Sequence, residues 1–342
     1  MTNEPLTTRT ARQQQLEDRF RTVRTGPDLP RQLRFELTIP RSWKPSKHDK
    51  QRARGFHPLF RFAPAEGTDA DVVVAVGRSS RDVNPADCLA ITWEKAGGRI
   101  LDRRDAMTPG GTESSILVRH AQHGRRDMLC SRVVKDGNRL FRVDARAAED
   151  LYRRLAEDLP IPPATFRLLD PEGIPTAESQ IEASYDAPMP FCFKRPSSWH
   201  LREIANERNR LSIQLEGRAA KPPIDRITIE VRTRRDGLGI GHLARDYAES
   251  LRARGIRVGG AALLAAKPPM GFQAAAVFAP AVHLGEQALF SHVLMLDHPQ
   301  GLMSLGLLGP TRKACAERWA INTRAFEIVR DSIRRIEGME RN

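Results

Sequence analysis

Three groups of residues in this 342-residue chain have types and spacings that chemistry could use. His120-Ala-Gln-His123 has an H-x-x-H spacing, but on a strand-like segment side chains three apart point to opposite faces, so one ion cannot take both. His283, His292 and His298 fall on different parts of a late hairpin with Asp297 the nearest acid. No fourth ligand or orienting partner accompanies them. Gly237-Leu-Gly-Ile-Gly241 precedes a helical stretch and could turn backbone N–H groups toward an anion. It has neither the Lys-Ser/Thr of a phosphate loop nor a βαβ setting, so a tight turn explains it. Nothing matches G-x-S-x-G, H-E-x-x-H or paired carboxylates on one helix face. These residues predict a chain that binds rather than reacts, with no metal and no cofactor.

Charge is the stronger signal. Formal net charge is +13, from 55 Lys and Arg against 42 acids, and residues 1–54 alone hold 13 cations against six acids. Such asymmetry points to an anionic partner, whether nucleic acid, a lipid surface or an acidic protein. The candidate partner-binding cations are Arg31, Arg34, Arg41, Lys44 and Lys47 near the start, with Arg232, Arg234 and Arg235 in the second half. No aromatic or glycine pattern of a nucleic-acid module accompanies them. Cys88, Cys130, Cys192 and Cys315 lie far apart without a C-x-x-C pair and read as reduced, structural thiols. The polar N-terminus and the absence of a run of about 20 apolar residues predict a cytoplasmic protein without a membrane span.

The elements that must position these residues occur twice. Phe35-Glu-Leu-Thr-Ile-Pro40-Arg-Ser-Trp43 matches Phe191-Cys-Phe-Lys-Arg-Pro196-Ser-Ser-Trp199 in its Phe, Pro, Ser and Trp. Downstream of each motif the same kinds of segment recur in the same order. Asp71–Val76 and Arg226–Val231 read as strands, each before a helix, Pro85–Lys95 in one case and Gly241–Arg254 in the other. Leu129-Cys-Ser-Arg-Val133 and Leu289-Phe-Ser-His-Val293 then share Leu, Ser and Val in register. Lys135-Asp-Gly-Asn138 and Asp297-His-Pro-Gln-Gly301 are hairpin turns. A closing helix ends each half, a short one over Ala147–Leu159 and a long one over Ala314–Ile336, whose Ala325, Ile328, Val329, Ser332, Ile333 and Ile336 share a face.

The expected fold is α+β, two tandem domains each built as an antiparallel β-sheet flanked by helices. Residues 1–30 read as a basic arm carrying a short helical stripe of Leu16, Phe20 and Val23. Residues 31–159 form the first domain, the proline-rich 160–189 an extended linker, 190–337 the second domain and 338–342 a tail. Phe35, Pro40 and Trp43, with Phe191, Pro196 and Trp199, are the expected structural anchors.

An opening F-x-x-x-x-P-x-S-W strand, the body of strands and helix, and a closing helix ending Phe326-Glu-Ile-Val-Arg-Asp-Ser-Ile333 together resemble the Mog/PsbP-like fold. That superfamily includes PsbP, the Ran-binding Mog proteins, the DcrB proteins and the Eag chaperones of type VI secretion. The resemblance implies a central antiparallel sheet and a role as adaptor, chaperone or assembly factor. The leading expectation is therefore a non-catalytic bacterial binding protein whose paired sheet surfaces hold a protein client. The alternatives are a basic nucleic-acid-associated protein, whose binding would weaken steeply with salt, and a small-molecule enzyme or carrier with an interdomain site.

If Trp199 anchors a core, Trp199→Ala costs about 3 to 5 kcal/mol. Urea denaturation measures it, and an unchanged midpoint would make the ring a ligand contact instead.

Overall fold

Along residues 70–78, Val72 and Val74 enter one core while Ala75 enters another, because successive side chains of a strand point to opposite faces. A strand buried on both sides needs a layer over each face, and this requirement organises the whole chain. The computed structural model describes residues 17–46, 55–65, 69–108, 111–122, 124–186, 188–217, 224–235 and 237–336. Contacts divide them into two units: residues up to Ser80 with Asn84–Ala177, and Arg81–Val83 with the residues from Glu178 onward. Every strand pair described is antiparallel.

The first unit runs β1 (Phe20–Arg24), β2 (Phe35–Pro40), β3 (Trp43–Pro45), β4 (Phe56–Pro64), β5 (Ala70–Arg78), α1 (Pro85–Lys95), β6 (Arg99–Thr108), β7 (Gly111–Gln122), β8 (Arg125–Asp136), β9 (Arg139–Ala148), α2 (Glu149–Leu155), α3 (Ile161–Thr165) and β10 (Arg167–Leu168). Its large sheet has the order β3-β4-β5-β9-β8-β7-β6, and its small sheet β1-β2-β10. Phe35, Leu37 and Ile39 of the small sheet share one core with Trp43, Phe62, Phe141 and Phe166. Leu89 and Trp93 of α1 build the other with Leu129, Val133 and Leu140.

The second unit runs β11 (Gln180–Tyr185), β12 (Phe191–Pro196), β13 (Trp199–Glu207), β14 (Arg210–Gly217), β15 (Arg226–Thr233), α4 (Ile240–Arg252), β16 (Ile256–Val258), β17 (Leu263–Ala266), β18 (Ala274–Phe278), β19 (Val282–Leu284), β20 (Gln287–His298), β21 (Gly301–Pro310), α5 (Ala316–Ser332) and β22 (Arg334–Arg335). Its large sheet follows β13-β14-β15-β21-β20-β18-β17, with β16 and β19 branching from β20, and its small sheet is β11-β12-β22. Position by position this is the order of the first unit. In each, a strand ahead of the Phe-to-Trp motif and another after the last helix flank the motif strand.

Three expectations need correction. Phe20 and Val23 lie on a strand paired with β2 rather than on a helix, and Phe20 is buried, so residues from Phe20 on belong to the first unit. Leu16 and the rest of the arm lie outside the described residues. The extended linker contains α3, β10 and β11. Pro162 and Pro163 sit buried in the first turn of α3, where a missing N–H breaks no helical bond. Finally, the first closing helix begins only at Glu149, because β9 keeps pairing with β8 through Ala148.

The centre of the second sheet shows the cost of covering both faces. All ten residues of β21 are buried, and three of its glycines permit close approach. A Cβ on Gly306 would lie 2.8 Å from Cε2 of Tyr247 on α4, and one on Gly309 would lie 2.7 Å from Nδ2 of Asn322 on α5. Asn322 donates at 2.7 Å to Asp225, which also takes Arg318 at 2.7 Å. We expect Gly306→Ala to cost about 1 to 3 kcal/mol, as overpacking usually does. The cost should shrink when Tyr247 is also replaced by Ala, which a double-mutant cycle of urea midpoints tests.

Candidate binding edge of the second sheet

Most of the candidate cations are engaged internally. Arg31 pairs with Asp170 at 3.3 Å, Arg34 donates to the Leu29 carbonyl at 3.2 Å and Arg41 to the Glu17 carbonyl at 2.8 Å. Lys44 and Arg235 are exposed, and Lys47 lies outside the described residues. Arg232 pairs with Asp246 and Glu230, and Arg234 with Asp297. The anchors are interior: Phe35 and Phe191 are fully buried, Trp43 and Trp199 nearly so, Pro196 is buried and Pro40 half-buried. An arginine holds the backbone carbonyl of each Trp, Arg21 in one unit at 2.8 Å and Arg195 in the other.

The histidines do not converge. His120 Nε2 bonds the Ala96 carbonyl at 3.1 Å, and His123 lies outside the described residues. His298 is buried and accepts the Gln300 N–H at Nδ1, 3.1 Å away. Among the described residues no three His, Cys, Asp or Glu side chains group as a metal site. Gly237 has φ of 78° and Gly239 caps α4, its N–H directed to His242 Nδ1 at 3.3 Å, so the glycine run is a turn. The four cysteines are free thiols, and burial pushes Cys130 up to about 11, which suppresses the thiolate.

The open site is elsewhere. α5 packs against β12 and β21 and reaches β20 through Trp319 and Phe326, which leaves Val277 of β18 only partly covered and Leu264 of β17 exposed toward the sheet edge. There a groove of about 570 Å³ has Val277, His292 and Leu294 as its floor, the segment Ala266–Met270 along one side and Arg330–Arg334 along the other. Leu264 pairs with Val277, and Val277 with Leu294, so these three lie across one face of three strands. The His292 ring stacks on Phe290 at 6.3 Å and meets Phe326 edge-on at 5.2 Å. Lys267 is exposed at the end of β17, while Arg330 pairs with Asp331 at 2.6 Å and Arg334 with Glu182 at 3.4 Å.

β17 itself terminates the sheet. Leu263 is 41%, Leu264 64% and the following Met270 84% exposed. β6 holds the same position in the first sheet, and there Arg99, Asp102, Arg103, Arg104 and Asp105 occupy five of ten residues. Asp102 pairs with Leu117 and Arg104 with Ser115, so charge occupies the face that is apolar in the second unit. Charged edges resist pairing with another strand. No motif in the sequence marks this site, although one signal was available: between Arg257 and Arg312 only Lys267, Glu286 and Asp297 are charged.

No family model matches the chain, and no curated protein matches it. Among solved structures it is similar to cyanobacterial PsbP (CyanoP) from Synechocystis, with 13% identity over 44% of this chain and 92% of that one and a TM-score of 0.34. It is also similar to LpqN, involved in cell envelope biogenesis of Mycobacterium tuberculosis, with 14% identity, 44% and 93% coverage and a TM-score of 0.31. The T6SS immunity protein TplEi from Pseudomonas aeruginosa matches at 11% identity over 86% of this chain and 97% of its own, with a TM-score of 0.25. Among the described residues no helix is long and apolar enough to cross a membrane.

His292 and His298 give the second unit a pH dependence. Burial holds both rings below the usual histidine value, with Arg330 and Arg335 respectively adding to the effect. The unfolded chain binds these protons near pH ~6.5, whereas the native rings resist them, so stability is full above that pH and falls as pH drops through it. Urea midpoints at about pH 7.5 and about pH 5.5 should show this loss, and His298→Asn, which keeps an acceptor near Gln300, should reduce it to the share that His292 contributes.

Proposed function

We propose that the chain is two copies of one non-catalytic binding fold, and that the second copy captures an extended segment of a protein client by strand addition to β17. The observation that carries this reading is the contrast between equivalent edges, five charges in ten residues of β6 against none in the four of β17. An edge strand presents a row of unpaired backbone N–H and C=O groups, and natural edges are normally blunted by charge, shortness or cover. β17 is short but neither charged nor covered. Strand addition draws its affinity from main-chain hydrogen bonds and its selectivity from pockets for alternate side chains, and the groove beside β17 is such a pocket. Among the candidate cations, Arg232 is held by Asp246 and Glu230 with its side chain only a quarter exposed, which counts against nucleic acid as its ligand.

Leu264→Lys tests the reading, because Leu264 is largely exposed and its replacement should shift folding stability by no more than about 0.5 kcal/mol. Peptides selected on the full chain from a displayed random library should bind this variant at least about tenfold more weakly, a backbone-pairing edge being sensitive to an added charge. On binding, the amides of Leu263–Ala266 should exchange more slowly. Selected peptides that bind the variant equally and leave those amides unprotected would overturn the proposal.

A further inference from the structure

We infer that the segment added at β17 comes from an acidic partner and carries an apolar and an acidic side chain two residues apart, the first beside Leu264 at the open side of the groove, the second toward Lys267 and the arginines Arg330 and Arg334. This inference rests on the strand-addition reading and adds the chemistry of the occupant. In an added strand, residues two apart face the same side of the sheet. The apolar part of the groove lies beside Leu264 and Val277, and Lys267 follows β17 toward its C-terminal end, so two successive groove-facing positions meet an apolar floor and then a cationic rim. The charge of the rim is only loosely engaged. Arg330 and Arg334 answer to Asp331 and Glu182 through ion pairs whose members are all substantially exposed, and no ion pair of Lys267 occurs among the described residues. Exposed pairs of this kind exchange partners at little cost.

A second copy of the chain fits the same edge poorly. Antiparallel pairing of β17 with itself has a two-fold axis perpendicular to the sheet, which sets the two rims on one face at opposite ends of the seam, so that each Lys267 meets the uncharged start of the other β17 rather than a carboxylate. The whole chain is also cationic, at +13, so encounter between copies is repelled while an acidic partner is steered inward.

The experiment uses the full chain and three labelled Val/Thr-rich peptides that differ only in carrying Glu, Ser or Lys two residues from the central Val. Anisotropy titrations are made at low and high salt, alongside sedimentation of the chain alone. We expect the Glu peptide to bind about tenfold tighter than the Ser peptide, the gain of two or three half-exposed ion pairs, and the Lys peptide to bind more weakly than either. High salt or the double change Lys267→Glu with Arg334→Glu should erase the preference, with the unfolding midpoint checked to show that the variant folds. Equal affinities for all three peptides, all lost in Leu264→Lys, would overturn the acidic preference and leave strand addition standing. Binding of no peptide, or binding indifferent to Leu264→Lys, would overturn strand addition and this inference with it. A dimer of the chain that Leu264→Lys dissociates would replace the acidic partner by a second copy.

Discussion

Both units depend on a middle strand buried on two faces at once. β9 and β21 are flanked by strands on either side and lie under side-chain layers on both faces, so every polar group the sequence places there must find its partner inside. Both units place a helix side chain on the equivalent serine of the strand beside it, Ser131 of β8 and Ser291 of β20. In the first, Trp93 of α1 donates its indole N–H to Ser131 at 3.1 Å, and Ser131 in turn donates to Asp144. In the second, the hydroxyls of Tyr247 on α4 and Ser291 lie 3.2 Å apart. The first unit goes further, lodging Arg142 against Asp144 at 2.8 Å with the Phe56 ring 4.7 Å and the Trp93 ring 5.3 Å away. Removing either member of such a buried pair strands the other charge. The second unit instead uses glycine, letting α4 and α5 approach the backbone itself.

Helices that cover the middle of a sheet leave its ends open, and the two units treat the same end differently. Arg99 and the run of charges over Asp102–Asp105 make β6 soluble on both faces. β17 has no such protection, yet the rim beside it is cationic. This distribution separates two roles for charge in a chain with so many arginines. Many arginines are committed to carboxylates of the same unit, as Arg61 and Arg146 are to buried Asp71. The net charge of residues 1–54, the strongest feature of the composition, therefore points less directly to a binding surface than the few cations that border an apolar groove.

The sequence made some of this legible and hid the rest for definite reasons. The helix over Pro85–Lys95 could be read because a proline at its first position and the spacing of Leu89 and Trp93 mark it. The shared Leu-x-Ser-x-Val pattern placed Ser131 and Ser291 in equivalent strands because buried positions restrict residue type. β1 and β11 were invisible as strands: both are short and largely exposed, so neither shows hydrophobic alternation. Prolines misled at α3, since Pro162 and Pro163 mark a linker by composition and a helix start by position. The proposed binding edge was hidden most deeply. Leu263-Leu-Ala-Ala266 resembles any apolar stretch, and only the strand order shows that nothing pairs with its outer side among the described residues.

An uncharged apolar edge would ordinarily invite sheet-to-sheet aggregation, so its survival has to be compatible with solubility. Length supplies one part of the answer. β17 has four residues, preceded by Gly259 and Gly260 and followed by Pro268 and Pro269, and proline cannot donate to a continuing ladder. Pairing is thereby confined to one short segment, too short to be stable by main-chain bonds alone and dependent on what the groove accepts. Charge supplies the other part, because Lys267, Arg330 and Arg334 beside that segment find no carboxylate on an identical edge, and the whole chain at +13 repels its own copies. The same two features that keep the edge from propagating are those that would decide which strand the proposed edge accepts.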